Sequence, residues 1–343
     1  MTAAQTACPQ CAAPIGVADR FCESCGGPLF EVPLPEIHRV AVPRGGLSQE
    51  GPCSDCGNAT FADGYCSACG HRRAEPDRDE ARLDVIALIT DRGLHHARNE
   101  DAAAAGTVSR GISDEQPAIA VAVCDGVSTS GEPQVAAVAA SKGGVDAMLA
   151  ALAAAKEPRS AVLAGLAEAA KAAVDAGNGV DPANAPSCTY TAATVVTNAA
   201  GTVEITVGNV GDSRAYWLPE PPGLPQQLTV DDSVAQELMT AGASAESEVV
   251  LRGAHTITRW LGADAEPIPW SESSVRTITA VGPGSLLLCS DGLWNYLPDA
   301  GDIARFCRDT DAVSAARALT EHAMEAGGQD NITVVLIPIG GAS

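Results

Sequence analysis

The chain has 343 residues, 46% of them hydrophobic, enough to bury a sizeable core and to exclude global disorder. A formal net charge of −22 and a pI near 4.5 make nucleic acid and anionic lipid poor partners for the whole molecule. The first residues lack a basic, apolar leader and no uninterrupted apolar run reaches membrane-spanning length, so the expected location is cytoplasmic, with no membrane contact.

The N-terminal quarter is organised by cysteine. Eight of the twelve cysteines form four Cys-x-x-Cys pairs: Cys8/Cys11, Cys22/Cys25, Cys53/Cys56 and Cys66/Cys69. Each pair points two thiolates at one point, and two pairs complete a tetrahedral zinc site, so two structural Zn²⁺ ions are expected. A disulfide or redox framework is the competing reading, and a reducing compartment weighs against it. The segments resemble tandem zinc ribbons, pieces too short to fold on apolar burial alone. They carry few basic residues, which favours a protein-docking role over nucleic-acid binding. The expected organisation is a first ribbon over 1–30, an extended Pro/Gly-rich connector over 31–50, a second ribbon over 51–73, a charged linker over 74–82 and a large domain over 83–340.

From Leu83 the texture changes. Leu83–Thr90 reads as one strand, and Ala118–Cys124 as another that ends at Asp125-Gly126. Pro133–Ala155 and Arg159–Gly177 are Ala-rich stretches with larger apolar residues at helical spacing, separated by Pro158. Strands are predicted over Tyr190–Thr197, Val203–Val207, Arg214–Leu218, Val275–Ala280, Ser285–Cys289 and Asn331–Pro338, and helices over Ser233–Ala241, Ala300–Cys307 and Asp311–Ala326. Strands in hairpin-connected groups and helices in pairs indicate antiparallel α+β layers, not a βαβ repeat.

The acids fall at strand ends. Asp125-Gly126 and Asp291-Gly292 each follow an apolar strand, Asp330 precedes the last one, Asp212 adjoins a fourth, and Glu100-Asp101 follows the first. A lone Asp-Gly is equally a common turn. Five such sites converging at one sheet edge form a cluster that is unstable unless cations neutralise it, and hard oxygen ligands select Mg²⁺ or Mn²⁺.

The motifs Arg98–Asp101, Val123–Val127, Gly208–Arg214, Cys289–Trp294 and Gly328–Thr333 resemble, in order and spacing, the metal-dependent serine/threonine phosphatases of type 2C, over roughly residues 84–338. The resemblance implies an αββα sandwich of two antiparallel sheets flanked by helix pairs, with two Mn²⁺ or Mg²⁺ ions held between the sheets. Asp125 would bridge both ions. Asp291 and Asp330 would complete one site, Glu100 and the Gly126 carbonyl, partly through water, would hold the other, and Asp101 is a further candidate metal ligand. A hydroxide shared by the ions would attack phosphoserine or phosphothreonine in line. Substrates would be phosphorylated proteins, products of a serine/threonine kinase; separately, the low Lys, high Arg and high Ala content points to a GC-rich bacterial genome.

Three departures stand out. His96 occupies the place of the family's usual phosphate-binding Arg, with Arg98 two positions on as the other candidate. The loop after Gly126 reads Val127-Ser128-Thr129-Ser130, without the common Met-Gly-Gly. Asn295 stands where a second Asp often supports a third metal, so a third site built on Asp212 would be weak, and Asp212 alone reads equally as a structural turn residue. A catalytically weak or inactive scaffold in kinase signalling is the alternative function. Cys124 and Cys289 read as small core residues.

Overall fold

Two six-stranded antiparallel sheets lie face to face between layers of helix in the computed structural model. It describes residues 7–8, 10–16, 19, 21–27, 29, 35–44, 52–53, 56–62, 65–70, 77–109, 116–198 and 200–340. In chain order, β1 (Glu36–Val42) comes first, followed by a two-strand hairpin, β2 (Phe61–Ala62) and β3 (Tyr65–Cys66). Next are β4 (Arg78–Leu83), β5 (Ile86–Asp91), β6 (Ala102–Ser109) and β7 (Ala118–Cys124). Helices α1 (Pro133–Ala153) and α2 (Pro158–Ala176) each start on a proline, whose missing N–H costs nothing in the first turn.

Strands β8 (Ser187–Cys188), β9 (Tyr190–Thr197), β10 (Val203–Val210), β11 (Arg214–Pro219) and β12 (Gln226–Gln227) follow, then α3 (Val234–Thr240) and α4 (Glu248–Arg252). The chain closes with β13 (Leu261–Gly262), β14 (Val275–Thr279), β15 (Gly284–Cys289), α5 (Asp291–Trp294), α6 (Ala300–Phe306), α7 (Ala312–Ala326) and β16 (Ile332–Ile339). The first sheet has the order β1-β6-β7-β9-β10-β14, and the second β12-β11-β15-β16-β5-β4. One apolar cluster joins α1 and α2 to the first sheet, a second fills the space between the sheets, and a third joins α5, α6 and α7 to the second sheet. This is the expected αββα sandwich.

Four local expectations are corrected. Leu83–Thr90 is not one strand: β4 and β5 form a hairpin around Asp84-Val85, with Asp84 at φ 51°. The connector over 31–50 carries β1, which pairs along its whole length with β6, from Glu36 opposite Ser109 to Val42 opposite Ala103. The linker over 74–82 carries most of β4, the edge strand of the second sheet. The rest of both segments, 31–34, 45–50 and 74–76, lies outside the described residues. The sandwich therefore begins well before residue 83, and the second cysteine module is an insertion between two of its strands.

β6 went unread because its start, Ala102–Ala105, has the composition of a helix. Tertiary packing overrides that propensity. A Cβ on Gly106 would lie 2.4 Å from Leu149 of α1 and 2.9 Å from the His38 carbonyl, so small residues let helix and edge strand close on β6. α1 is long and apolar enough to cross a membrane by length and composition alone, although Lys142 and Asp146 interrupt its apolar run. Its Ala136, Ala137, Ala140, Val145, Met148 and Leu149 are instead buried against the first sheet.

Candidate metal centre and active site

The acidic cluster is assembled at one end of the two sheets. β7 delivers Asp125, whose N–H donates to Thr189 Oγ1 at 3.0 Å and whose carbonyl accepts the Thr189 N–H at 2.8 Å. A Cβ on Gly126 would lie 2.7 Å from the Glu100 carbonyl, so only glycine lets the Glu100 loop approach this strand end. β15 ends at Cys289, and Ser290 hands over to Asp291. Gly292 packs so tightly that a Cβ would fall 2.0 Å from the Asn331 carbonyl, which locks the Asp291 turn against Asp330-Asn331. Asp212 follows Gly211, at φ 101°, just past β10.

Asn331 ties the loops together. Its Oδ1 accepts the Glu100 N–H at 2.7 Å, and its Nδ2 donates to the carbonyls of Arg92 at 2.7 Å and Arg98 at 3.2 Å. Ser290 Oγ donates to Asp101 Oδ2 at 2.7 Å and accepts the Thr333 N–H at 2.9 Å. Trp294 Nε1 donates to the Asp212 carbonyl at 2.9 Å. The predicted residues Glu100, Asp101, Asp125, Gly126, Asp212, Asp291 and Asp330 thus meet at one edge.

Their electrostatics require a counterion. Burial, and then the charges of Asp101, Asp291, Asp330 and Asp212, push the Asp125 carboxyl well above the usual range. Burial raises Asp101 to about 7 against its hydrogen bond from Ser290, with Asp330 and Asp291 adding to the rise. Burial and Asp291 raise Asp212 to about 8. Asp330 is raised by the same two causes. Two oxygens in the cluster, Asp101 Oδ1 and Asp291 Oδ1, are buried with no hydrogen-bond partner. An orphaned, charged, buried acceptor is costly unless a proton or cation completes it. The donor set, all hard oxygen, fits divalent Mn²⁺ or Mg²⁺.

The two expected phosphate-binding groups face the carboxylates. His96 Nε2 lies 3.0 Å from Asp330 Oδ1, and Arg98 Nε donates to Glu100 Oε1 at 3.0 Å. Ser128 Oγ donates to the other Glu100 oxygen at 2.8 Å. Both Glu100 oxygens are therefore engaged within the protein, whereas Asp101 keeps an open one. His255, which no motif flagged, reaches the cluster from the segment after α4. Its Nδ1 lies 3.7 Å from Asp291 Oδ2, and its ring stacks on Trp294 with centroids 5.6 Å apart and planes 4° from parallel. The Asp291 carboxylate raises its pKa above the ordinary imidazole value.

A phosphatase described as the PPM Ser-Thr phosphatase MsPP from Mycobacterium smegmatis, solved with cacodylate, superposes over 76% of this chain and 100% of its own, with TM-score 0.55 and 28% identity. The chain carries the PPM phosphatase fold. The catalytic domain of the serine/threonine phosphatase PstP, solved with two manganese ions, aligns over 74% of this chain and 97% of its own, at TM-score 0.50 and 27% identity. The serine/threonine phosphatase stp of Listeria innocua is 34% identical over 140 residues, 39% of this chain and 51% of that protein. The chain thus spans about half the length of that curated relative, and no family model matches the sequence.

Two further clusters, both of cysteine, lie in the N-terminal part of the chain. In the first, Cys8, Cys11, Cys22 and Cys25 converge, with sulfurs 3.8 Å apart for Cys8 and Cys25 and 3.5 Å for Cys11 and Cys22. In the second, Cys53 and Cys69 are 3.6 Å apart and Cys56 and Cys66 3.5 Å. A tetrahedral zinc with bonds of about 2.3 Å sets sulfurs about 3.8 Å apart, so both sets fit Zn²⁺. The backbone N–H of Cys69 pulls the Cys66 thiol down to about 6, and that of Cys25 pulls Cys22 down to about 7, while their partners Cys56 and Cys11 are raised, so each cluster holds one sulfur inclined to the thiolate form. Cys124 and Cys289 are fully buried core residues, as expected.

Sequence reasoning missed Ser128, Thr189, Ser290, Asn331 and His255. Ser290 and Asn331 sit inside the motifs that were recognised, directly beside the acids, and their polarity next to a buried strand was the available signal. His255 had none, because its place depends on how the segment after α4 folds back.

Proposed function

We propose that the protein is a metal-dependent protein serine/threonine phosphatase. The observation that carries this is the pair of orphaned oxygens on Asp101 and Asp291, within a buried carboxylate cluster at the end of a PPM-type sandwich. Asp125, Asp291 and Asp330, with Glu100, Asp101 and the Gly126 carbonyl, would hold two divalent ions, Mn²⁺ or Mg²⁺. When bound, the ions supply an acidified water and neutralise the phosphoryl oxygens. Ser290, Asn331 and Thr189 fix the strand ends so that the acids keep their spacing without reorganising. Asp212, short of a second acid because Asn295 stands nearby, would give only a weak third site.

His96 and Arg98 are the groups able to receive the substrate phosphate, once divalent ions replace them as partners of Asp330 and Glu100. Substrates are phosphoproteins made by a serine/threonine kinase, and both cysteine modules hold structural Zn²⁺. The deciding experiment measures hydrolysis of p-nitrophenyl phosphate and of a phosphothreonine peptide by the full chain, with and without Mn²⁺. Metal-dependent turnover of both is expected; a folded chain inert towards every phosphoester removes the reading. One observation favours a scaffold instead: both candidate phosphate-binding groups are turned onto acids, and the usual Arg is His96. A chain that binds phosphopeptide with no turnover would fit that second reading.

A further inference from the structure

The two cysteine modules are not equivalent, because β1 separates them. The first module precedes Glu36, which lies opposite Ser109 at the end of the sheet remote from the acids. Six residues later, Val42 lies opposite Ala103, two residues past Asp101. A seven-residue strand covers about 23 Å, so the modules are attached at opposite ends of the sandwich. The chain then leaves β1 into the second module and returns through β4, whose Arg78 pairs with Asp91.

Both attachment points of the second module are clasped at the site end. The Arg44 N–H donates to Asp79 Oδ2 at 2.6 Å, and its guanidinium to Asp79 Oδ1 at 2.6 Å and 2.9 Å, joining outgoing and returning chain. Arg78 Nε donates to Asp91 Oδ2 at 2.7 Å. Arg92 is the link to the site loop. Its Nε donates to Asp77 Oδ1 at 2.7 Å, its N–H donates to the Asp77 carbonyl at 2.7 Å, and its guanidinium also bonds the His96 carbonyl. The six residues from 71 to 76 can span at most about 20 Å, so the module is confined to the neighbourhood of His96, Arg98 and Glu100.

Its charge says what it would favour. The insertion over 45–76 has four acids against two arginines, and zinc on four thiolates adds two further negative charges. Between Pro52 and Gly70 there is no Lys, Arg or His, while Tyr65 is half exposed. Beside a site that must hold a phosphate, an anionic knob attracts cationic residues flanking the phosphorylated one.

We infer that the second cysteine module is a selectivity element of the active-site rim, which binds basic segments flanking the phosphoserine or phosphothreonine of a protein substrate, while the first module has no part in this. The inference rests on the phosphatase reading for its ligand, and the test keeps the two apart. The ligand is a peptide carrying a non-hydrolysable phosphonate analogue of phosphothreonine, with Arg-rich or Glu-rich flanks. Its affinity for the full zinc- and Mn²⁺-loaded chain is measured by fluorescence anisotropy.

The Arg-rich peptide should bind more tightly than the Glu-rich one. Adding two charges on the exposed alanines of the second module, in Ala62→Lys/Ala68→Lys, should weaken the Arg-rich peptide about fivefold, as two surface charge pairs predict. Replacing 52–70 with a short Gly-Ser linker should do the same, and the Arg44–Asp79 clasp gives that linker only a small gap to close. An equal charge change in the first module, Glu23→Gln/Ser24→Lys, should leave the affinity unchanged. No flank preference in the wild type, or equal losses from both modules, overturns the inference. Turnover of p-nitrophenyl phosphate by the same preparations reports on catalysis separately: an active chain without flank preference sinks the selectivity alone, and an inert chain that keeps the preference sinks the phosphatase reading alone.

Discussion

Asp125 and Ser290 show how unequal two neighbours in one site are. Asp125 is the acid most surrounded by like charges, so its carboxylate gains most from cations. At an effective dielectric constant near 20, one charge at ligand distance is worth several kcal/mol. Asp125→Asn should therefore lower Mn²⁺-dependent turnover of p-nitrophenyl phosphate about a thousandfold or more. Glu100→Gln should cost less, since Arg98 and Ser128 already occupy both its oxygens. Steady-state kinetics on variants with unchanged circular dichroism checks the ranking. Ser290 acts on stability. Ser290→Ala would remove the 2.7 Å hydrogen bond to the buried Asp101 carboxyl, which should cost about 2 kcal/mol in urea unfolding of the metal-free protein. A loss that survives saturation with Mn²⁺ would indicate that the hydroxyl matters more to Thr333 than to Asp101.

At the scale of elements, β1 decides what can be cut away. It covers the edge of β6 and buries Val42 to 1% exposure. A chain starting at residue 77 should melt at least roughly 5 °C below one starting at residue 35, the equivalent of about 2 kcal/mol for one lost valine in a domain of this size. Thermal unfolding followed by circular dichroism compares the two. The strands β7, β9, β15 and β16 were legible because apolar runs bounded by turn residues have few other uses. β1 and β6 were not. β1 alternates weakly and sits among prolines and glycines, and its edge position needs apolar residues on one side only. β6 is written in alanine, whose strand conformation here is imposed by α1 and β1 packing on it. The acids of the site were readable as residues at strand ends, but their roles were not. That Glu100 is saturated by Arg98 and Ser128 while Asp101 holds an open oxygen depends on loop geometry that no spacing encodes.

For the molecule as a whole, the cluster makes folding and metal loading one equilibrium. Asp101 at about 7 and Asp212 at about 8 lie far above an unfolded carboxyl near 4. Between those values the folded metal-free chain binds more protons than the unfolded one, so its stability falls as pH rises. The melting temperature of the zinc-loaded, Mn²⁺-free protein should drop steadily from about pH 5 to pH 8. Millimolar Mn²⁺ should flatten that slope, because cations replace the lost protons. A slope of the opposite sign would mean that the acids are not neutralised by protons in the metal-free state.

The second module is spliced into the sandwich by two strands that belong to different sheets. Its connectors at 45–51 and 71–76 are covalently necessary for neither sheet. A protease that severs one of them leaves β1 laddered to β6 and β4 laddered to β5. The nicked chain should then run as two pieces under denaturing conditions and as one particle on a native sizing column. The N-terminal arm behaves in that respect as a subunit that happens to be joined in cis, and it should be exchangeable in trans with a synthetic copy of its own first 44 residues.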